Sequence, residues 1–100
     1  MKFDWDKNKA KINLAEHQVS FDEATIVFSD VWAIQEYDVS HSDFDEQRIT
    51  IIGFTGTKIL RVTYTVEFSN ENEIIKIISA RKAQGLDRKN YERNRNQFDW

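Results

Sequence analysis

From Ile59 to Phe68 the chain reads ILRVTYTVEF, and from Leu60 onward apolar and polar side chains alternate without interruption. A period of two marks a strand with one face in a core and the other outside it. Leu60, Val62, Tyr64, Val66 and Phe68 are therefore predicted inward, and Arg61, Thr63, Thr65 and Glu67 outward. RITIIGF (48–54) precedes this strand across TGTK, where Gly56 can supply a positive φ, and EIIKIIS (73–79) follows it across SNEN. Strands joined by turns this short predict an antiparallel meander. In the last strand Ile75 and Ile77 face one layer while Ile74 and Ile78 face the other. Small residues, Ser79 and Ala80, end it, and Arg81 and Lys82 are presented immediately afterwards.

The first third of the chain reads differently. Phe3 and Trp5 alternate in KFDW, a short opening strand, and Asp6 then offers an N-cap for a helix over Lys7 to His17. Ala10 and Leu14 form its predicted inward stripe. Lys9, Asn13 and His17 recur every four residues as a second, polar and cationic stripe, either a solvated face or the wall of a site. In VSFDEA, Ser20 followed three residues later by Glu23 is a capping box, with Val19 and Ala24 as its staple. It predicts a helix from Phe21 to about Phe28 that buries Phe21, Ala24 and Phe28 and stops at Asp30. WAIQEY (32–37) is a further strand, and DVSHSDFDEQ (38–47) a long acidic loop. After the last strand, ARKAQGLDRKNYERNR is helical in pattern, but Gly85 costs about 1 kcal/mol in a helix interior, so the helix is expected to begin after it. Leu86, Asn90 and Tyr91 are its predicted inward positions. The whole reads as one α+β domain over 1–100 with a tail at 96–100. It has a small, mainly antiparallel sheet (a short N-terminal strand plus the meander), two N-terminal helices packing the sheet, and a C-terminal helix.

Composition narrows the chemistry. One hundred residues, 40% hydrophobic and 31% charged, support a single core and favour a surface groove over a deep pocket. The absence of cysteine removes disulfides and thiolate chemistry. No apolar run approaches the ~18 residues of a membrane span, and MKFDWDKNKA lacks a signal-peptide core, so a cytoplasmic protein without membrane contact is expected. The net charge of −3 hides an asymmetry: the first fifty residues carry 5 basic and 11 acidic side chains, the second fifty 9 and 6. There is no glycine-rich phosphate loop, HExxH or GxSxG. Asp43, Asp45 and Glu46 lie close together but lack the glycine and spacing of a calcium loop. No metal or cofactor is predicted.

What remains is a set of cations beside hydroxyls and a histidine. Arg48 and Arg61 occupy the strand face opposite the core stripe, beside Thr63 and Thr65, and Arg81 emerges at the end of the last strand. Arginine presents a planar fork matched to phosphate oxygens. Edged by Lys9, Asn13 and His17, with Lys76 and Lys82 nearby, such a surface suits RNA. Cutting RNA requires no metal when the 2′-hydroxyl is the nucleophile. The protein then removes a proton, stabilises phosphoryl charge and protonates the leaving oxygen. His17 or Glu46 is the candidate base, and Arg48 and Arg81, with Lys9, the charge stabilisers. The alternative is a module that binds RNA or an acidic partner through its basic C-terminal half without cutting.

Phe3, Trp5, Asp6, Lys9, Asn13, HQVSF (17–21), Glu23, Ala24, Asp30, HS (41–42), Glu46, Arg48, Gly53, KIISARKA (76–83) and Tyr91 together resemble the BrnT family of toxins. The likeness spans roughly residues 3 to 91. It implies a RelE-like fold, a cytosolic ribonuclease that inhibits translation, and neutralisation by a BrnA-like antitoxin. It also implies that operator DNA is bound only by the toxin–antitoxin complex. The family's recurrent polar residues fall on Lys9, Asn13, His17, Glu46, Arg48 and Arg81. Lys76 stands where arginine is usual, Glu16 where lysine is common, and Gln84 and Asp87 where a threonine and a glutamate would cap the last helix.

Overall fold

The computed structural model describes residues 1–39 and 46–97. Five strands and three helices follow in the order β1 (Lys2–Asp4), α1 (Lys7–His17), α2 (Phe21–Ala24), β2 (Ile34–Tyr37), β3 (Ile49–Phe54), β4 (Ile59–Ser69), β5 (Asn72–Lys82) and α3 (Gly85–Asn96). The strands form one sheet in the order β1-β5-β4-β3-β2. The meander β3 to β5 is antiparallel, as predicted, and β2 adds to it antiparallel along β3, but β1 joins β5 in parallel, so the sheet is mixed. A chain that leaves β1 through a helix and returns much later cannot reach the edge of β5 as a hairpin partner.

Both N-terminal caps act as the sequence predicts. Asp6 accepts hydrogen bonds from the amides of Asn8 and Lys9, which holds its carboxyl below the usual range, and Ser20 Oγ accepts from the amide of Glu23. The Glu23 carboxylate does not close the capping box; it pairs with Lys58 at 2.7 Å and ties α2 to the turn before β4. α2 itself is short, tightening after Ala24 into a 3₁₀ turn over Thr25–Ser29 that ends at Asp30. That turn buries Val27 completely and leaves Phe28 half-buried. Val27 sits against β3 so closely that a Cβ on Gly53 would lie 3.0 Å from its Cβ, which explains the glycine.

One face of the sheet carries the main core of Ile51, Leu60, Val62, Tyr64, Ile75 and Ile77, closed by Val19, Phe21, Ala24 and Val27. Edge-to-face contacts of Phe3 with Phe28, Phe28 with Tyr64 and Trp5 with Phe21 complete it. In β5 the register slips: Tyr64 pairs with Ile77 but Thr63 pairs with Ser79, so Ile78 is a bulged extra residue. The bulge turns Ala80 into the core and sends Arg81 to the opposite face, where it stands across from Arg61. β5 runs three residues further than predicted, and Arg81 lies within it rather than after it. Phe68, predicted inward, is 76% exposed. β3 pairs with β4 only as far as Tyr64, so the end of the β4–β5 hairpin projects past the sheet.

The inward face of α1 also differs from the expectation. Leu14 is exposed, and Asn13 is buried at 6%. Its Nδ2 donates to the carbonyls of Ala80 (2.8 Å) and Val19 (3.0 Å), and its Oδ1 accepts from the amide of Ala80 (3.1 Å). β1 covers β5 only through Lys76, and beyond that point the Asn13 amide takes the place of a neighbouring strand.

α3 begins at Gly85 itself, whose φ of +56° is open to glycine, and is shifted by one residue from the predicted phase. Its inward positions are Asp87, Tyr91 and Asn94, while Leu86 is 69% exposed and Asn90 is exposed. Each inward group has a polar partner. Asp87 accepts from Arg61 (2.8 Å), the Tyr91 hydroxyl donates to Asp30 (2.6 Å), and Asn94 donates to the carbonyl of Trp32 (2.9 Å). Asp30 also accepts from the amides of Trp32 and Phe54, joining the turn before β2, β3 and α3 at one carboxylate. Phe98 and Trp100, and the loop residues 40–45, lie outside the described residues.

Two outcomes are expected. Asn13→Ala strands two carbonyls and an amide in the interior and lowers unfolding free energy by about 3 kcal/mol in urea titrations. Asn13→Asp, which sets a carboxylate against two carbonyls, costs more. A loss typical of an exposed site would overturn the edge-closing role. Burial, and next the hydrogen bond to Asp30, raise the Tyr91 pKa well above 10, so the folded chain holds this proton more tightly than the unfolded one. Stability is then full below pH 10 and falls above it by up to ~1.4 kcal/mol per pH unit. Tyr64, raised chiefly by burial, adds to the slope. Tyr91→Phe flattens it, measurable by denaturant midpoints between pH 8 and 11.

Candidate functional site

The clamp at Ala80 decides where the polar stripe of α1 points. Lys9 and His17 lie one turn to either side of Asn13, about 6 Å along the axis in each direction, and so flank the outer edge of β5. Each serves a different hollow. Lys9 borders an open groove of about 700 Å³ with Glu46, Arg48, Thr65, Lys76 and Ile78. His17 borders a smaller hollow of about 310 Å³ with Glu16, Gln18, Arg81, Lys82 and Gln84.

The candidates thus separate into two groups along one edge. In the groove, Arg48 Nε stands 3.8 Å from a Glu46 carboxylate oxygen, and both side chains keep solvent access at 37% and 54%. Lys9 and Lys76 add two ammonium groups, so three cations share with Glu46 a groove whose lining also includes the carboxylates of Glu67 and Glu73. In the hollow, His17 Nε2 is 3.8 Å from Glu16, while Arg81 and Lys82 are exposed. The two candidate bases, His17 and Glu46, therefore do not share a cavity.

Two predicted residues are engaged elsewhere. Asn13 is sealed against Ala80 and Val19. Arg61 donates to Asp87 with both side chains about three-quarters buried. This pair matters to the site, because Arg61 and Arg81 are direct cross-strand partners and like charges so placed repel. By drawing the Arg61 guanidinium toward α3, Asp87 leaves Arg81 facing outward with its neighbour's charge offset. Asp87 was notable in the sequence only as a missing helix cap. Asp43 and Asp45 lie outside the described residues, and among the described residues no three histidine or carboxylate side chains converge as metal ligands.

Sequence reasoning missed the aromatic part of the groove. Tyr37 and Phe68, 65% and 76% exposed, line it together with Glu73. Period two put Phe68 in the core, and only the length mismatch between β3 and β4 shows otherwise.

Chemically, the groove offers a solvent-accessible carboxylate able to take a proton and cations able to hold a phosphodiester. The hollow offers further cations for an adjacent phosphate. No helix of the described residues is long and apolar enough to cross a membrane. Residues 5–86 match the family model described as the ribonuclease toxin, BrnT, of type II toxin–antitoxin systems. A search of curated proteins found no significant match.

Proposed function

The chain belongs to the BrnT family of ribonuclease toxins of type II toxin–antitoxin systems, and we propose that it is a metal-independent endoribonuclease that inhibits translation by cutting RNA in the cytoplasm. A cognate BrnA-like antitoxin holds it inactive, and operator DNA is contacted only through that complex. One observation carries the catalytic reading: Glu46 lies beside Arg48 in a groove that also holds Lys9 and Lys76.

In this reading Glu46 removes the proton from a 2′-hydroxyl, whose oxygen attacks the adjacent phosphorus as the bond to the 5′-oxygen breaks. The products are a 2′,3′-cyclic phosphate and a 5′-hydroxyl, and the leaving oxygen takes up a proton. Arg48, Lys9 and Lys76 stabilise the charge that grows on the phosphoryl oxygens, where a fixed cation contributes most. The Lys76 ammonium supplies charge without the two-pronged geometry of arginine. Arg81, Lys82 and His17 hold the neighbouring phosphate at the second hollow. The separation of His17 from Glu46 favours a second reading, a module that binds RNA or a protein partner without cutting.

Single-turnover cleavage of single-stranded RNA in EDTA separates these readings. Glu46→Gln is expected to slow cleavage by about 10²–10⁴-fold, and Arg48→Ala by about 10²-fold. Arg81→Ala weakens binding more than it slows the chemical step, and all three relieve growth arrest on expression. RNA that stays intact at protein concentrations saturating for binding would leave only the binding module.

A further inference from the structure

Tyr37 and Phe68 are large aromatic side chains that the fold leaves in water, and both line the groove that holds Lys9, Arg48 and Lys76. Exposed rings are common singly, but two beside a row of cations match the surface that single-stranded nucleic acid needs. Cations there follow the phosphates, and rings stack on unpaired bases.

The carboxylate of Glu73 sharpens this. Phe68 and Glu73 are direct cross-strand partners at the projecting end of the β4–β5 hairpin, so their side chains leave the same face as neighbours. Glu73 has no ion-pair partner among the described residues. Together with Glu67, which also lines the groove, it repels phosphate, which leaves the cations for the backbone and the hairpin end for a base. Its two oxygens accept only, and the base that matches them best is guanine, with adjacent N1–H and N2–H donors. Uracil presents one donor between two carbonyl oxygens and matches worst.

We propose that Phe68, with Tyr37, is a stacking platform for one unpaired nucleobase next to the bound phosphate, and that Glu73 makes this subsite prefer guanine. The inference rests on the reading of the groove as an RNA site and adds a base preference to it.

The test uses thymidine heptamers with a single central dG or a single central dU, which lack the 2′-hydroxyl and are not cut, with affinities read by fluorescence anisotropy at fixed salt. The dG heptamer is expected to bind about tenfold tighter, within the range that one stacked and hydrogen-bonded base contributes. Glu73→Gln reduces that ratio to about twofold or less. Phe68→Ala removes the preference and weakens the dG heptamer to the level of the dU one, while Phe68→Trp retains both. Both positions are exposed, so circular dichroism should show unchanged folding. Equal affinities in the parent, or a preference that survives Phe68→Ala, overturns the subsite even if RNA of matching sequence is cut. Preferential dG binding with that RNA left intact upholds the subsite and removes the ribonuclease reading instead.

Discussion

The hydrogen bonds between the Asn13 side chain and the backbone of Ala80 fix the relation between α1 and the sheet, and the arrangement of the surface follows from them. An unpaired strand edge is a liability that proteins cover or blunt. β1 is too short to cover β5, and a single primary amide, with donor and acceptor side by side, reproduces one rung of a ladder. Because the rung is a side chain, the helix that carries it lies along the edge, and its neighbours at four-residue spacing are delivered to the two hollows. One polar residue thereby closes the sheet and aims Lys9 and His17. A hydrophobic residue at position 13 could fill the space but leave the edge unsatisfied.

Charge is arranged by the same economy. The acidic first half and basic second half do not form two opposed faces, because several cations from the second half are neutralised where they touch structure. Lys58 meets Glu23 across the layers, and Arg61 meets Asp87 between sheet and helix. Most cations at the groove and hollow come from β5, where Lys76, Arg81 and Lys82 are held on a strand anchored by Ile75 and Ile77. α3 is attached chiefly by polar contacts through Asp30, Arg61 and Trp32, with Tyr91 as its one buried ring. Such an attachment specifies position strongly while burying little apolar area.

Much of this was legible in the chain. Alternation located β4, turn residues located the meander, and Asp6 and Ser20 marked helix starts, because each of those features is set by local chemistry. The misplacements share a cause. Leu14 rather than Asn13 was assigned inward because hydropathy cannot show that a strand edge needs a donor and an acceptor at that spot. Leu86 was assigned inward for the same reason, when α3 in fact meets the sheet through Asp87, Tyr91 and Asn94. Phe68 was misplaced because the reach of β3 along β4 is a property of pairing, not of either strand. For the candidate site, residue types were legible and grouping was not: whether His17 falls beside Glu46 depends on how α1 lies against β5, a contact that at Asn13 and Ala80 spans 67 positions and is shown by neither local sequence nor periodicity.

The bulge at Ile78 places a constraint on how this chain can vary in length. Side chains of a strand alternate, so the extra residue is what lets Ile77 and Ala80 both face the core while Arg81 does not. Adding one residue between Ile77 and Arg81, with the bulge kept, would shift the alternation by one and turn the arginine toward the face that Ala80 occupies. Surface turns such as that at Gly56 can absorb an insertion, since nothing lies within 4 Å of that glycine's missing side chain. The four residues before Arg81 cannot: their number, as much as their identity, keeps a cation on the outside of the molecule.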